Sequence, residues 1–124
     1  MALCCDVAIE KSVEHRERFT VVRLSGAPSL GQFLSLLHVI AVDSRSWPNR
    51  SVLVDLRGIA SLRATTDHFV IGQEVARQLG HIDRLASLVS TERITRVSEK
   101  AAQEQGANLV IFTEEDAAVG WLLE

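Results

Sequence analysis

The sequence has almost no means of cross-linking itself: its two cysteines, Cys4 and Cys5, are adjacent. Neighbouring cysteines neither meet ordinary disulfide geometry nor close a useful loop, so a reducing, cytoplasmic setting is the expectation. Basic excess is missing too, because 13 Lys and Arg face 16 Asp and Glu for a net charge of −3. Without a basic field to hold a phosphate backbone, nucleic acid is not an expected partner. Long hydrophobic runs are absent. The longest, Leu30 to Val42, is interrupted by Gln32, Ser35 and His38 and falls short of the roughly 20 residues that cross a bilayer. The opening MALCCDVAIEKS places Asp6 and Glu10 where a secretory signal would be apolar. Catalytic signatures are also missing: no GxxxxGK[ST] cradles a nucleotide, no HExxH holds zinc and no GxSxG presents a serine. His15, His38, His68 and His81 lack metal-ligand spacing. The expectation is a chain without metal, cofactor or enzymatic activity.

What remains is an ordinary globular composition, 47% hydrophobic and 23% charged over 124 residues, the size of one domain spanning residues 1–124. Alternating residues around Val7 and Ile9 predict a first strand, VEHRERF a charged turn, and FTVVRLSG a second strand closing at Gly26, together an antiparallel hairpin. Ser29 followed by Gln32 is a capping-box pattern. It opens a helix whose Leu30, Phe33, Leu34, Leu37, Ile40 and Ala41 form one stripe, ended by SWPNR. SVLVDL is a near-continuous apolar run, the pattern of a strand inside a parallel sheet. A helix follows from Thr65 or Thr66, with Phe69, Gly72, Val75, Ala76 and Leu79 on its inner side and Gly80 at its end. RLASLVS is a fourth strand, TERITRVSEKAAQEQG a largely exposed helix ended by Gly106, and NLVIFT a fifth strand. Thr113 then caps EEDAAVGWLLE, whose early acids suit the helix dipole and whose Trp121 and Leu122 can dock the last turn. The order ββαβαβαβα implies an α/β fold: a mixed sheet of about five strands, an N-terminal hairpin followed by parallel βα units, with about four helices.

Ligands of open parallel sheets gather at the carboxyl ends of strands, which here are Asp55 to Gly58, Ser90 to Thr91, and Thr113. The stretch from Asp55 to Thr66 is the candidate site. Its helix start offers unpaired N–H groups and the positive end of a dipole, where an anion or a phosphorylated threonine gains about 0.3 to 1 kcal/mol. The plainer reading makes one threonine an N-cap and Asp55 a strand-end residue bonded to loop amides. His68, in the first helical turn, can titrate near neutrality, although a plain surface histidine is the simpler account. Leu36, Val39 and Val42 lie outside the main stripe of the first helix, a surplus of apolar surface that fits a homodimer, a protein partner or an apolar pocket.

The hairpin, the VLVDLRGI strand followed by a helix, and the closing FTEEDAAVGWLLE with its tryptophan resemble the SpoIIAA-like, or STAS/Sec14-like, family of small bacterial domains over nearly the full chain. The resemblance implies a non-enzymatic regulatory or protein-interaction domain. In related anti-sigma-factor antagonists a strand ends in Asp-x-Ser-Gly, and an Asp-Ser-Ser-Gly loop carries a phosphorylated serine at the start of the next helix. Asp55 and Gly58 match the first element, and Thr65 falls where that serine would lie, whereas Arg63, Ala64 and Thr66 depart from the second. The resemblance implies roles for Asp55, Gly58 and Thr65, and with the strand-end and helix-start positions of Arg57, Thr66 and His68 these six are the candidate binding or regulatory residues. Its Sec14 side implies an alternative, a carrier of a small apolar or lipid-like ligand beside the Leu30 to Val42 helix. A small enzyme working at the strand ends is the third reading.

Overall fold

The computed structural model describes residues 9–62, 64–91 and 97–124, with the side chains of Thr65 and Ser98 outside that set. Cys4, Cys5, Val7, Arg63 and Ile94 lie outside the described residues. Among the described residues, five strands and four helices alternate as β1 (Ile9–His15), β2 (Thr20–Gly26), α1 (Leu30–Ser44), β3 (Ser51–Ile59), α2 (Thr65–Leu79), β4 (Arg84–Leu88), α3 (Val97–Glu104), β5 (Leu109–Phe112) and α4 (Glu115–Leu122). The strands stand in chain order, β1 antiparallel to β2 and every later pair parallel.

That order fixes where the helices go. Successive right-handed crossovers that advance in one direction place α1, α2 and α3 on the same face of the sheet. After β5 the chain doubles back, and α4 covers the opposite face. Because side chains alternate along a strand, β2 and β3 feed two separate cores. Val22, Leu24 and Val52 join Phe33, Leu37, Ile40, Val75 and Leu79 on the three-helix face. Val21 and Leu53 join Ala86, Leu88, Ala118 and Leu122 beneath α4. The order never reverses, so no crevice opens between diverging connections at the carboxyl ends of the strands. Any site must come from side chains or gaps between helix and sheet.

Local signals explain most boundaries. Ser29 and Gln32 form the expected capping box, Gln32 N–H donating to Ser29 Oγ at 3.2 Å and Ser29 N–H to Gln32 Oε1 at 2.8 Å. Gly106 adopts φ 94 just beyond α3, and the bonds Gly106 N–H to Gln103 O and Ala107 N–H to Ala102 O complete a Schellman-type end. β1 runs to His15, into the predicted turn. It is an edge strand with one solvated side, so its charges are tolerated while Val13 pairs with Val22. α3 is less exposed than its sequence implies, since Ala101, Ala102 and Glu99 are buried. Glu99 accepts the Ile111 N–H at 2.8 Å, and Gln103 donates to Leu109 O at 2.8 Å. These two side chains occupy outward backbone groups of edge strand β5, leaving less template for strand addition there.

Two helices differ from expectation. α4 begins after Glu114 rather than Thr113, and no side chain caps it. On α2 the inward residues are Gly72, Val75 and Leu79, whereas Phe69 is 46% exposed. The sheet lies against the His68–Ile71–Val75 side, which turns Phe69 to solvent.

Candidate functional site

Asp55 lies within β3, which continues through Arg57 and Gly58 to Ile59. A β-bulge makes that extension possible. Arg23 pairs with Asp55 but Ser25 pairs with Gly58, so three steps along β3 oppose two along β2. Gly58 is needed at the tight point: a Cβ there would stand 2.8 Å from Ser25 Cβ and 2.9 Å from Leu24 O. The Asp-Leu-Arg-Gly run is therefore a bulged strand, and the connection to α2 starts only after Ile59.

On the α4 face, Asp55 is 7% exposed and almost fully used. Its Oδ1 accepts from Arg57 N–H and Arg57 Nε, both at 3.0 Å. Its Oδ2 accepts from Arg57 Nη2 at 3.0 Å and from Arg23 Nη1 at 2.7 Å. Glu115, first residue of α4, binds the same two guanidiniums at 3.2 Å. Two acids and two arginines thus alternate across β2, β3 and α4, fastening the helix start to the sheet. The expected loop-amide partners of Asp55 are replaced by its own strand's amide and by cations.

The ionisation of this group follows from the geometry. Burial pushes the Asp55 carboxyl up, but hydrogen bonds from Arg57 and Arg23 outweigh it and leave the group below its ordinary value. The Arg23 guanidinium likewise holds Glu115 below the usual carboxylate range, against burial. Arg23 and Arg57 are both raised, chiefly by their bonds to Glu115 and Asp55 respectively. With both carboxyl values depressed, the unfolded chain binds more protons than the folded one in acid. Their contribution to stability is therefore complete above the ordinary carboxyl values near pH 4 and disappears as pH falls through the lower folded-state values. Urea midpoints are expected to fall on acidification below about pH 4.5, and less steeply in Glu115→Gln, which lacks one of the two linked carboxyls. An unchanged slope in that variant would contradict the assigned role of Glu115.

The remaining candidates lie elsewhere. Ala64, not a threonine, is the N-cap of α2 and makes no side-chain cap bond, so Thr65 and Thr66 are the first two helical residues. The capping explanation for the threonines fails on that geometry. Thr66 is exposed, and Asp67 supplies an acid in the first turn. Before the helix, Leu62 adopts φ 65, a conformation that costs a non-glycine residue on the order of 1 to 2 kcal/mol, while its side chain packs on the three-helix core. His68 faces inward, lining a cavity of about 90 Å³ with Phe33, Leu37, Leu56, Ile71 and Val75. The six candidate residues thus fall into three places: Asp55 and Arg57 beneath α4, Gly58 in the bulge, and Thr65, Thr66 and His68 around the first turn of α2. Sequence reasoning missed Arg23 and Glu115, 32 and 60 positions from Asp55. The parity of β2 and β3, which puts Arg23 on the side of Val21, was the available signal for the first.

Among the described residues no group of three or more His, Cys, Asp or Glu is arranged to hold a metal ion, and no helix is long and apolar enough to cross a membrane. No protein-family model matches the sequence, and no curated protein does. Solved structures do match. An anti-sigma factor antagonist from Mycobacterium paratuberculosis superposes with a TM-score of 0.63 at 14% identity, over 96% of this chain and 97% of that one. An uncharacterized protein of the DUF3478 family with a SpoIIAA-like fold, from Shewanella loihica PV-4, gives 0.59 at 15% identity, over 93% and 94%. The chain has a SpoIIAA-like fold, in agreement with the resemblance read from its sequence.

Proposed function

We propose that this chain is a non-enzymatic regulatory domain that works by binding another protein through the first turn of α2, with Thr65 or Thr66 as the switch. One observation carries the reading: an exposed aromatic, Phe69, stands on an uncapped helix start next to two consecutive threonines. Thr65 and Thr66 precede Phe69 by four and three positions, the spacings that bring residues onto one helix face. Interfaces concentrate their affinity in such aromatic anchors surrounded by polar residues, and exposed Thr66 and Gln73 supply that surround. A phosphate would add a charge of about −1.5 to −2 beside Phe69 and Asp67. It would suit the helix dipole, yet repel an acidic partner and oppose desolvation of the ring. Supporting the regulatory class, one protein of the same fold is an anti-sigma factor antagonist.

The test begins with protein purified from its own cells, weighed natively and after denaturation. A phosphate mapped to Thr65 or Thr66, or a co-purifying protein, is the expected result. For that partner, Phe69→Ala should weaken binding at least tenfold, about 1.4 kcal/mol. If Thr65 and Thr66 variants to Ala and to Glu all bind as wild type does, the switch is wrong. Self-association is the other protein contact this surface chemistry supports, through Val39 and Val42, which are 44% and 57% exposed on the outside of α1. A lipid-like ligand is less well supported. The cavity beside α1 measures about 90 Å³, against the roughly 300 Å³ at the low end of ligand sites.

A further inference from the structure

A second concavity, of about 130 Å³, opens at the other end of the sheet, where the loops before β3 and β4 meet the last turn of α1. Its walls are Ser44, Arg45, Trp47, Asn49, Arg50 and His81, with Ile82 completing them, so three cationic or titratable bases line it and, among the described residues, no acid does. This is unusual in a chain whose acids outnumber its Lys and Arg. Arg16, Arg23, Arg57, Arg77 and Arg84 each meet a carboxylate at 2.6 to 3.8 Å. Among the described residues, Arg45 and Arg50 meet none, nor does Arg18, which donates instead to Leu123 O at 3.3 Å. Arg45 makes no side-chain hydrogen bond there either, and Arg50 makes one, from Nη1 to His81 O at 3.0 Å.

The surrounding polar groups are built in. Asn49 Nδ2 donates to Arg16 O at 3.0 Å and Thr20 Oγ1 at 3.3 Å, which holds the loop in place. Trp47 is braced edge-on by His15, their ring centres 5.5 Å apart. Buried Ser44 donates its hydroxyl proton to Ala41 O at 2.9 Å, and its Oγ lies 2.7 Å from His81 Nε2. With that proton on Ala41 O, the hydroxyl accepts from His81, an arrangement that fits the Nε2–H tautomer. The same bond argues against a serine nucleophile: its proton points at a backbone carbonyl, and no carboxylate in the pocket orients the imidazole. Burial chiefly lowers the His81 pKa, and the nearby charges of Arg45 and Arg50 add to it.

We propose that this pocket binds a small phosphate-bearing anion, whose oxygens take the N–H groups of Arg45 and Arg50 while Trp47 forms an apolar wall. Guanidinium forks match the geometry of phosphate oxygens, and the volume equals about four waters at roughly 30 Å³ each. The site is remote from Thr65, Thr66 and Phe69, so its test is independent of the function proposed above.

The experiment is calorimetric titration of the whole chain with inorganic phosphate and with phenyl phosphate, ionic strength held constant with sodium chloride. Saturable binding is expected, weakened at least tenfold by Arg45→Gln and lost in Arg45→Gln/Arg50→Gln. Arg45→Gln should keep the wild-type unfolding midpoint, because its exposed side chain has no internal bond to lose. Tighter binding of phenyl phosphate assigns the site to an organic phosphate monoester, and tighter binding of inorganic phosphate to the free ion. Absence of saturable heat with both, or wild-type affinity in a folded Arg45→Gln protein, overturns the proposal.

Discussion

Asp55→Ala is expected to lower the free energy of unfolding by about 3 kcal/mol, the low end of the range for breaking a buried ion pair. The low end applies because Arg23 and Arg57 are partly exposed and can rehydrate once their partner is gone. For a domain of this size the midpoint temperature should drop by about 10 °C. The loss has two parts: a carboxylate that accepts four hydrogen bonds is gone, and Arg23 and Arg57, through which Glu115 fastens α4, lose the group that orients them. Asp55→Asn, which keeps the shape and one oxygen acceptor, should fall between alanine and wild type. Urea unfolding measures all three, with slopes that should stay equal if only the native state changes. A wild-type midpoint for Asp55→Ala would mean that the network adds nothing to stability.

Gly58→Val should cost about 2 to 3 kcal/mol, the upper part of the range for overpacking. The position has no room for even one carbon, since two of the nearest contacts, Leu24 O and Ser25 Cα, belong to the β2 backbone and cannot rotate away. Ser25→Gly removes the 2.8 Å approach to Ser25 Cβ but leaves Leu24 O at 2.9 Å. In a double-mutant cycle Ser25→Gly should therefore rescue Gly58→Val only in part, with a coupling of at least about 0.5 kcal/mol. Full additivity would show that the two residues do not touch.

The same two residues mark where the sequence could be read and where it could not. The ββαβαβαβα order was legible because each segment carries its own local signal, such as the Ser29–Gln32 capping box or the apolar run of β3. The extension of β3 past Asp55 was not, because Arg57 and Gly58 look like a turn in a strand pattern, and only the pairing with β2 reveals a bulge. Phe69 fits an inward stripe through Gly72 as well as His68 does, so the position of the sheet, not the helix period, decides between them. The threonine pair was recognised, but its rank in the helix depends on Ala64 being the last extended residue. Arg45, Arg50 and His81 carry no local pattern at all. Their pocket exists because a parallel sheet gathers loops that are distant in sequence at one end.

A photo-reactive amino acid installed at position 69, in the chain expressed in its own cells, tests the central claim most directly. The account predicts a specific protein adduct from position 69, absent from a control at exposed Gln105 and reduced by Thr65→Glu or Thr66→Glu. Equal labelling at both positions, or an adduct at 69 that neither glutamate changes, would contradict a switched contact surface at the start of α2.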